Sequence, residues 1–305
     1  MTHNIDPRHE EKETEMKTAN SSATSSNHTT ADTVRIGNLV VSRLGFGAMR
    51  ITGRGVWGPP ANRAESIRVL RRAVDLGVTF IDTADSYGPG VSEELIAEAL
   101  APYGDGLVIG TKGGLTRGGP GDWRRDGRPQ HLRVACDASL KRLRVDRIEL
   151  YQLHSPDPRV PLEDSIGALV DLQRQGKIRH IGVSNVDARE LAAAREVTTV
   201  VSVQNRYNLA DRSSEPVLTV CQRDGIAFLP WFPLSAGSDA ASASPALAEV
   251  AARHSATPAQ VAIAWLLARS PVMLPIPGTS SVTHLEENLQ AGRLRLSAAD
   301  RAALD

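Results

Sequence analysis

The sequence predicts an α/β fold, a closed (β/α)8 barrel of the TIM type preceded by a short N-terminal β-hairpin. From Val34 onward, short apolar runs typical of strands alternate with segments whose apolar residues recur at helical spacing. This alternation predicts parallel strands joined by helical crossovers, and eight nearly continuous apolar strands predict a closed barrel. The eight runs are Leu44–Gly47, Val78–Ile81, Leu107–Gly110, Ile148–Leu153, Ile178–Val183, Val200–Val203, Ile226–Leu229 and Val272–Ile276.

Local signals mark individual elements in chain order. Val34–Ile36 and Leu39–Val41 flank a Gly-Asn pair that favours a hairpin turn. Apolar residues spaced three and four apart over Ile67–Val74 predict the first helix, and Gly77 is a suitable residue just past its end. Near the C-terminus, Thr257–Gln260 combines a Thr cap, a Pro at the first helical position and a Gln three residues after the Thr, which predicts a helix start.

The alternative fold is an open, doubly wound sheet that binds a dinucleotide. The run Gly45–Arg50 favours this alternative because it contains two closely spaced glycines. It lacks the third glycine of the dinucleotide fingerprint, however, and no helix start follows it. The sequence also contains no Walker A loop and no His or Cys cluster with metal-ligand spacing, so a barrel without a metal is expected.

Composition argues against several classes of partner. The chain of 305 residues has 35 Lys and Arg against 35 Asp and Glu, and zero net charge gives no electrostatic basis for binding nucleic acid or an acidic membrane.

Cys136 and Cys221 are expected to be buried thiols, which suits a reducing cytoplasm. Polar composition without an apolar run predicts a disordered tail over residues 1–33, followed by one barrel domain over residues 34–305. No apolar stretch is long enough to predict a membrane-spanning helix.

Four ionisable side chains follow three successive predicted strands. Asp82 and Tyr87 follow the second strand, Lys112 the third and His154 the fourth. In an α/β barrel, the carboxyl ends of the strands form the catalytic face. The Lys charge is expected to lower the pKa of the phenol, while the Asp holds the Lys and the Tyr donates a proton. A buried Lys beside an Asp costs several kcal/mol of desolvation, so such a pair indicates a functional site.

The later strand ends carry a different chemistry. Ser184, Asn185 and Gln204 supply hydroxyl and amide groups suited to recognition of a neutral carboxamide. Trp231 places a flat ring at the end of the seventh strand, where it could stack on another aromatic ring. The turn Pro277–Ser281 consists of small residues and precedes a predicted helix start, which is a favourable phosphate site after the eighth strand of a barrel.

The run from residue 44 to about residue 291 resembles the aldo-keto reductase family. The matching motifs are Leu44-Gly45-Phe46-Gly47, Asp82-Thr83-Ala84 with Tyr87, Thr111-Lys112, Leu153-His154, Gly182-Val183-Ser184-Asn185, Gln204-Asn205, and Ile276-Pro277-Gly278-Thr279-Ser280 with Glu287-Asn288. The resemblance implies a catalytic tetrad of Asp82, Tyr87, Lys112 and His154. It also implies cofactor contacts from Ser184, Asn185, Gln204, Trp231, Pro233, Leu234, Gly278, Thr279, Ser280, His284, Glu287 and Asn288.

The resemblance implies NADPH as the cofactor and leaves NADH open. Many relatives hold the 2′-phosphate with a Lys after the eighth strand and an Arg six residues later, whereas this chain has Gly278 and His284 there. Two segments, Gly53–Pro60 and Trp231–Leu234, resemble a bacterial branch that includes pyridoxal reductases.

The predicted activity is reduction of an aldehyde or ketone to an alcohol by a cytoplasmic, NADPH-dependent enzyme with Tyr87 as the general acid. The rim residues Trp57 and Trp123 are candidates for contact with the small carbonyl substrate. Two alternatives remain open. One is a Schiff-base aldolase with Lys112 as its nucleophile, and the other is an NADP-binding regulatory subunit without turnover. The oligomeric state is not predicted.

Overall fold

The structure is a computed structural model that describes residues 1–2, 33–234 and 244–305. The predicted disordered tail therefore lies outside the described residues, except for its first two residues and Thr33, which begins the first strand. None of the helices in the described ranges is long and apolar enough to cross a membrane.

An antiparallel hairpin precedes the barrel, as predicted. Strands β1 (Thr33–Ile36) and β2 (Leu39–Ser42) pair around Gly37, whose φ of 60° is a conformation that favours glycine. The buried side chains of the hairpin pack against a cluster that includes Phe80, Leu150 and other residues of the barrel strands. Since Phe80 begins its strand, the hairpin covers the amino-terminal end of the barrel, opposite the strand ends that carry the polar residues.

Seven parallel strands form most of the barrel. Their order in the sheet is β11-β10-β9-β8-β5-β4-β3, so strands that follow one another in the barrel repeat are neighbours in space. The strands are β3 (Phe46–Gly47), β4 (Phe80–Asp82), β5 (Val108–Gly113), β8 (Ile148–Leu153), β9 (Ile178–Ser184), β10 (Val200–Arg206) and β11 (Ala227–Trp231).

The eighth predicted strand closes the barrel, although its ladder is irregular. On one side, Phe228 of β11 donates to the Val272 carbonyl at 2.9 Å and accepts from Leu274 at 2.8 Å. On the other side, the amide of Gly45, just before β3, donates to the Pro275 carbonyl at 2.9 Å. Because prolines at 275 and 277 have no N–H to donate, this segment cannot form a continuous ladder. The (β/α)8 prediction is confirmed.

Helices separate the strands on the outside of the barrel, and a second hairpin interrupts the rim. This hairpin, β6 (Leu115–Gly119) with β7 (Asp122–Arg125), follows β5 and was not predicted. The helices are α1 (Arg63–Asp75), α2 (Val91–Leu100), α3 (Pro129–Leu143), α4 (Leu162–Arg174), α5 (Ala188–Val197), α6 (Glu215–Asp224), α7 (Pro245–Arg253), α8 (Pro258–Arg269), α9 (Val282–Gln290) and α10 (Ala298–Leu304).

Two local predictions are confirmed in the helices. Thr257 caps α8 in a reciprocal pair of hydrogen bonds with Gln260, which is the capping box read from the sequence. Cys136 and Cys221 are free and buried, and burial raises the pKa of each thiol to about 12. Both cysteines are therefore unreactive core residues.

Candidate active site

The structure brings the four predicted ionisable side chains together at the carboxyl-terminal edge of the barrel. Asp82 is the last residue of β4, Lys112 lies one residue before the end of β5, and His154 directly follows β8. Tyr87 comes from the loop after β4. Since β4, β5 and β8 are neighbours in the parallel sheet, their ends deliver these side chains to one place.

Lys112 is the centre of this cluster. Its ammonium donates to Asp82 Oδ2 at 2.7 Å, to the Thr83 carbonyl at 2.8 Å and to the Tyr87 hydroxyl oxygen at 3.3 Å. The other carboxylate oxygen of Asp82 accepts from the amide of Gln204 at 2.8 Å. Three acceptors thus engage the three ammonium protons, and the Tyr87 hydroxyl, which accepts from Lys112, keeps its own proton for another acceptor.

Burial and the Lys112–Asp82 pair set the pKa directions in the cluster. Burial, the largest single effect, lowers the pKa of Lys112, but the charges of Asp82 and Tyr87 and the hydrogen bonds to them together outweigh it, and the net pKa is raised. Burial raises the pKa of Asp82, and the ion pair with Lys112 opposes that rise. The Lys112 charge lowers the pKa of Tyr87, as expected, but the expected net lowering is wrong. Burial raises this pKa above 10.0 and outweighs the Lys112 charge, so Tyr87 is held as a neutral phenol.

His154 is neutral in this environment. Burial, and then the positive charge of Lys112, lower its pKa well below the usual value of 6.5. The Oγ atom of Ser86 lies 3.3 Å from His154 Nδ1. We assign the ring proton to Nε2, because the Ser86 hydroxyl can then donate to Nδ1.

A cavity of about 530 Å³ lies in front of the cluster. Asp82, Tyr87 and His154 line it, whereas Lys112 is buried behind them. Its lining also includes seven of the predicted cofactor residues: Ser184, Asn185, Gln204, Trp231, Pro233, Leu234 and Gly278. The sequence did not identify Met49, Arg50, Val56, Leu115, Phe232 or Ile276 as part of this wall. For Met49 and Arg50 a signal existed, since both lie in the short segment that follows the Leu-Gly-Phe-Gly strand end.

Trp231, the predicted ring-stacking residue, is hydrogen-bonded to the side-chain amide of Asn185. Trp231 Nε1 donates to Asn185 Oδ1 at 2.9 Å, and Asn185 Nδ2 donates to the His154 carbonyl at 2.9 Å and to Ser184 Oγ at 3.1 Å. Asn185 has a φ of 58°, a left-handed conformation that Asn adopts more readily than most residues. The network anchors the edge of the Trp231 indole at the cavity wall.

The turn after the eighth strand forms one end of the cavity. Gly278 lines the cavity, and Ser281 caps α9 by accepting from the backbone N–H of His284 at 3.5 Å. The helix N-terminus thus follows the cavity wall directly, which is the arrangement expected at a phosphate site. The remaining predicted cofactor residues lie beyond the cavity lining, in the turn and the first two turns of α9: Thr279, Ser280, His284, Glu287 and Asn288.

The two predicted substrate-contact residues occupy different positions. Trp123 lines the cavity, and its ring centroid lies 6.3 Å from that of Tyr87 and 6.5 Å from that of His154, both in edge arrangements. Trp57 is not among the residues that line the cavity. The guanidinium of Arg117 lies 3.6 Å from the Trp123 centroid and 5.8 Å from the Trp57 centroid, so Arg117 connects the two indoles.

Arg117 also joins three segments of the rim. Its guanidinium donates to backbone carbonyls of the loop before α1, the loop after β4, and the β6–β7 hairpin. The acceptors are the carbonyls of Gly55, Val56, Ser86, Gly119 and Asp122, at distances from 2.9 to 3.3 Å. Since Gly55, Val56 and Ser86 are backbone acceptors from distant parts of the chain, no sequence motif could have revealed this role.

Comparison with known proteins shows the family to which this chain belongs. The model of the aldo/keto reductase family matches residues 43–305, which include all four ionisable residues and the whole cavity wall. The chain belongs to the aldo/keto reductase family. It is therefore an oxidoreductase, and its close relatives bear oxidoreductase names.

Two curated relatives match nearly the whole chain. An uncharacterized oxidoreductase of Schizosaccharomyces pombe is 48% identical over 289 residues, which cover 95% of this chain and 93% of the relative. Pyridoxine 4-dehydrogenase of Escherichia coli is 45% identical over 281 residues, which cover 90% of this chain and 98% of the relative.

Solved structures of the same family share the fold. Glycerol dehydrogenase of Gluconobacter oxydans superposes with a TM-score of 0.81 at 27% identity, over 90% of this chain and 94% of that one. An aldo/keto reductase of Klebsiella pneumoniae, in complex with NADP and acetate, superposes with a TM-score of 0.75 at 30% identity. The superposition covers 90% of this chain and 94% of that one.

Proposed function

We propose that this protein reduces an aldehyde or a ketone to an alcohol with NADPH and that Tyr87 is the general acid. The observation that carries the proposal is the 3.3 Å contact in which buried Lys112 donates to the Tyr87 hydroxyl oxygen. A fixed cation on this oxygen stabilises the phenolate that forms when Tyr87 gives up its proton. The Klebsiella pneumoniae relative in complex with NADP and the relative named pyridoxine 4-dehydrogenase support the same activity.

The residues of the cavity fit a nicotinamide dinucleotide. Trp231 offers a flat ring, and Gly47 and Gly278 form a stretch of wall without side chains. The N-terminus of α9 follows, where backbone N–H groups and the helix dipole favour a phosphate. A bound nicotinamide supplies the hydride that the carbonyl carbon receives. We infer NADPH rather than NADH from the relatives described with NADP and NADPH.

The side chains of the cluster carry out the proton transfer to the substrate. Tyr87 gives its proton to the carbonyl oxygen as that oxygen gains negative charge, and Lys112 stabilises the phenolate left behind. Asp82 keeps Lys112 charged and in place. His154, as a neutral ring, donates from Nε2 to the same oxygen and orients the carbonyl. The raised pKa of Tyr87 keeps it protonated at neutral pH, which is the form that reduction requires.

The cavity wall supports an aromatic carbonyl substrate such as pyridoxal. The rings of Tyr87, Trp123 and His154 form an aromatic corner, with centroid distances of 6.3, 5.8 and 6.5 Å and near-perpendicular planes. An aromatic aldehyde can pack edge-to-face in this corner while its carbonyl meets Tyr87 and His154. The relative named pyridoxine 4-dehydrogenase supports this substrate class.

The Schiff-base alternative is disfavoured by the surroundings of Lys112. A Schiff-base nucleophile needs a neutral amine with a lone pair directed at the substrate. Here the Lys112 pKa is raised and the ammonium donates to three acceptors, so the lone pair is absent at neutral pH. The regulatory-subunit alternative is disfavoured because all four ionisable residues are present and assembled.

The proposed activity can be tested by following NADPH oxidation with a panel of carbonyl compounds that includes pyridoxal, aliphatic aldehydes and ketones. We expect turnover with the panel to be fastest for aromatic aldehydes and to require the reduced cofactor. Binding of NADPH without turnover of any panel member would favour the regulatory alternative instead.

We expect Trp231→Ala to weaken NADPH binding about tenfold, because an aromatic pair contributes about 0.5–1.5 kcal/mol beyond the area it buries. Isothermal titration measures the Kd directly. Trp231→Phe is the matched variant: it keeps a flat ring but loses the N–H that bonds Asn185. Near-wild-type binding by Trp231→Phe supports stacking. An unchanged Kd in Trp231→Ala would show that Trp231 does not contribute to cofactor binding.

We expect Arg117→Lys to raise the KM for an aromatic aldehyde at least about fivefold, because a Lys cannot donate to five carbonyls and Trp123 loses its planar partner. The Kd for NADPH should not change. Arg124→Lys on the same hairpin is the control, since Arg124 pairs with Asp122 near the surface. A KM equal to that of wild type would show that Arg117 does not position the substrate wall.

A further inference from the structure

A second cavity, also of about 530 Å³, lies at the opposite end of the barrel from the catalytic residues. Its lining includes Leu44 and Val78, which stand two residues before β3 and two residues before β4. The second half of α8 and the segment 292–296 after α9 complete the wall. The cavity therefore lies at the amino-terminal ends of the strands, and the proposed reaction does not use it. Its volume is in the range of small-molecule sites.

The apolar part of this lining is aliphatic. No aromatic side chain of the described residues lines the cavity, whereas Tyr87, Trp123 and Trp231 line the catalytic one. The buried and half-buried apolar residues of the wall are Leu44, Val78, Ala264, Leu267, Leu289 and Leu294. Such a wall suits an aliphatic chain rather than a flat ring, because it offers apolar area without an aromatic face for stacking.

The charged part of the lining is entirely positive. Among the described residues, no Asp or Glu lines the cavity, and the arginines that do are Arg43, Arg293, Arg295 and Arg301. Nη2 of Arg43 donates to the carbonyls of Leu267 at 2.7 Å and Ser270 at 2.8 Å, and Nη1 of Arg295 donates to the Gly292 carbonyl at 2.6 Å. These bonds fix two guanidinium groups at the wall without neutralising them, because a carbonyl has no net charge.

Arg293 and Arg301 are exposed, and neither forms an ion pair with an acidic side chain in the part of the chain that the structure describes. Other arginines of the same region are paired. Arg253 contacts Asp300 at 2.8 Å, and Arg212 contacts Asp305 at 3.3 Å. Positive charge without a carboxylate partner is thus concentrated around an aliphatic cavity, in a chain whose net charge is zero.

We propose that this cavity binds an amphipathic organic anion, with its aliphatic body against the leucines and its carboxylate at Arg293 and Arg301. Charge complementarity decides for an anion, and the aliphatic wall decides for the body. A guanidinium group matches a carboxylate with two parallel N–H donors, and such charge-assisted bonds are stronger than neutral ones. The site is independent of the proposed function, since it shares no lining residue with the catalytic cavity.

The test is isothermal titration of the full chain with decanoate, below the concentration at which decanoate forms micelles. Decanol, which has the same aliphatic body without the charge, is titrated in parallel. We expect wild type to bind decanoate more tightly than decanol. Arg293→Gln/Arg301→Gln should raise the Kd for decanoate about tenfold or more, because charge-assisted hydrogen bonds are lost, and should leave the Kd for decanol unchanged. Arg293→Lys/Arg301→Lys should recover part of the affinity, since it keeps the charge but loses the fork.

Arg54→Gln/Arg125→Gln is the matched control. Both arginines are exposed and lie outside the lining of the second cavity, in the loop after β3 and in β7 on the catalytic face. This variant loses the same charge and should bind decanoate as wild type does. The melting temperature and the kcat of Arg293→Gln/Arg301→Gln should equal those of wild type, because both side chains are exposed and distant from the catalytic residues.

Four results would contradict the proposal. One is an equal Kd for decanoate in wild type and in Arg293→Gln/Arg301→Gln, and another is equal binding of decanoate and decanol by wild type. A loss of decanoate affinity in the control variant would place the carboxylate on the catalytic face instead. A wild-type dimer in sedimentation that becomes a monomer in Arg293→Gln/Arg301→Gln would assign the cavity to a second copy of the chain.

An acidic part of the chain itself is the remaining competitor. Four glutamates stand close together near the N-terminus: Glu10, Glu11, Glu13 and Glu15. Changing all four to Gln should leave the Kd for decanoate unchanged. If the change instead tightened decanoate binding in wild-type background but not in Arg293→Gln/Arg301→Gln, these glutamates would be the anions that the cavity binds, and the proposal would be wrong.

Discussion

Tyr87→Phe is expected to lower kcat by about 10²–10⁴-fold, the range that general acid catalysis typically contributes. The substitution removes only the hydroxyl. The ring can keep its edge contacts with Trp123 and His154, at centroid distances of 6.3 and 5.8 Å. The hydroxyl accepts one contact of 3.3 Å from Lys112, which still donates to Asp82 and Thr83. Folding and the Kd for NADPH should therefore survive, and the loss should appear in kcat rather than in binding.

Tyr103 provides a matched control for this variant. Its hydroxyl donates to the Leu143 carbonyl at 2.8 Å, away from the cavity. Tyr103→Phe removes the same group from the same kind of ring, and we expect it to lower stability by about 0.5–1.5 kcal/mol without changing kcat. Steady-state kinetics and thermal unfolding of both variants test the pair. Reduction of a good carbonyl substrate by Tyr87→Phe at the wild-type rate would contradict the assignment of the proton donor.

The position of the proposed catalytic residues was predictable from the sequence, because each lies at or just after the end of an apolar strand. Asp82, Lys112 and His154 each stand where a buried run meets polar residues, and parallel strands bring such ends to one edge. The eighth strand was located correctly for the same reason. Its broken ladder follows from two prolines, which remove N–H donors without moving the segment out of the wall.

Two features were not predictable from the sequence, because they depend on contacts between distant segments: the β6–β7 hairpin and the direction of the Tyr87 pKa shift. The β6–β7 hairpin has no alternation of apolar and polar residues that would predict it. Arg117 fixes the hairpin on the rim by donating hydrogen bonds to carbonyls of other loops. The direction of the Tyr87 pKa depends on two opposed effects. The sequence reveals the neighbouring Lys112 charge, but only the fold reveals that burial is the larger effect.

Lys112→Met is expected to slow turnover by about 10²-fold or more and also to destabilise the protein. Without the ammonium, the phenolate of Tyr87 loses its stabilising cation, and general acid catalysis weakens. The carboxylate of Asp82, only 3% exposed, also loses its 2.7 Å partner. Removal of one partner from a buried ion pair typically costs about 3–5 kcal/mol, because the other charge stays buried. Both kcat and the melting temperature should therefore fall.

A double variant separates these two effects. In Asp82→Asn/Lys112→Met, no unpaired charge is buried, and replacement of a whole buried pair by neutral groups is often tolerated. We therefore expect the melting temperature to recover much of its loss while kcat stays low, because the cation next to Tyr87 is still missing. Lys177→Met is the control for loss of an exposed pair. Its 2.6 Å contact with Asp137 is partly solvated, so about 0–1 kcal/mol should be lost, with kcat unchanged. If kcat recovered with stability in the double variant, Lys112 would serve the fold rather than the proton transfer, since only a structural role can be restored by removing the unpaired carboxylate.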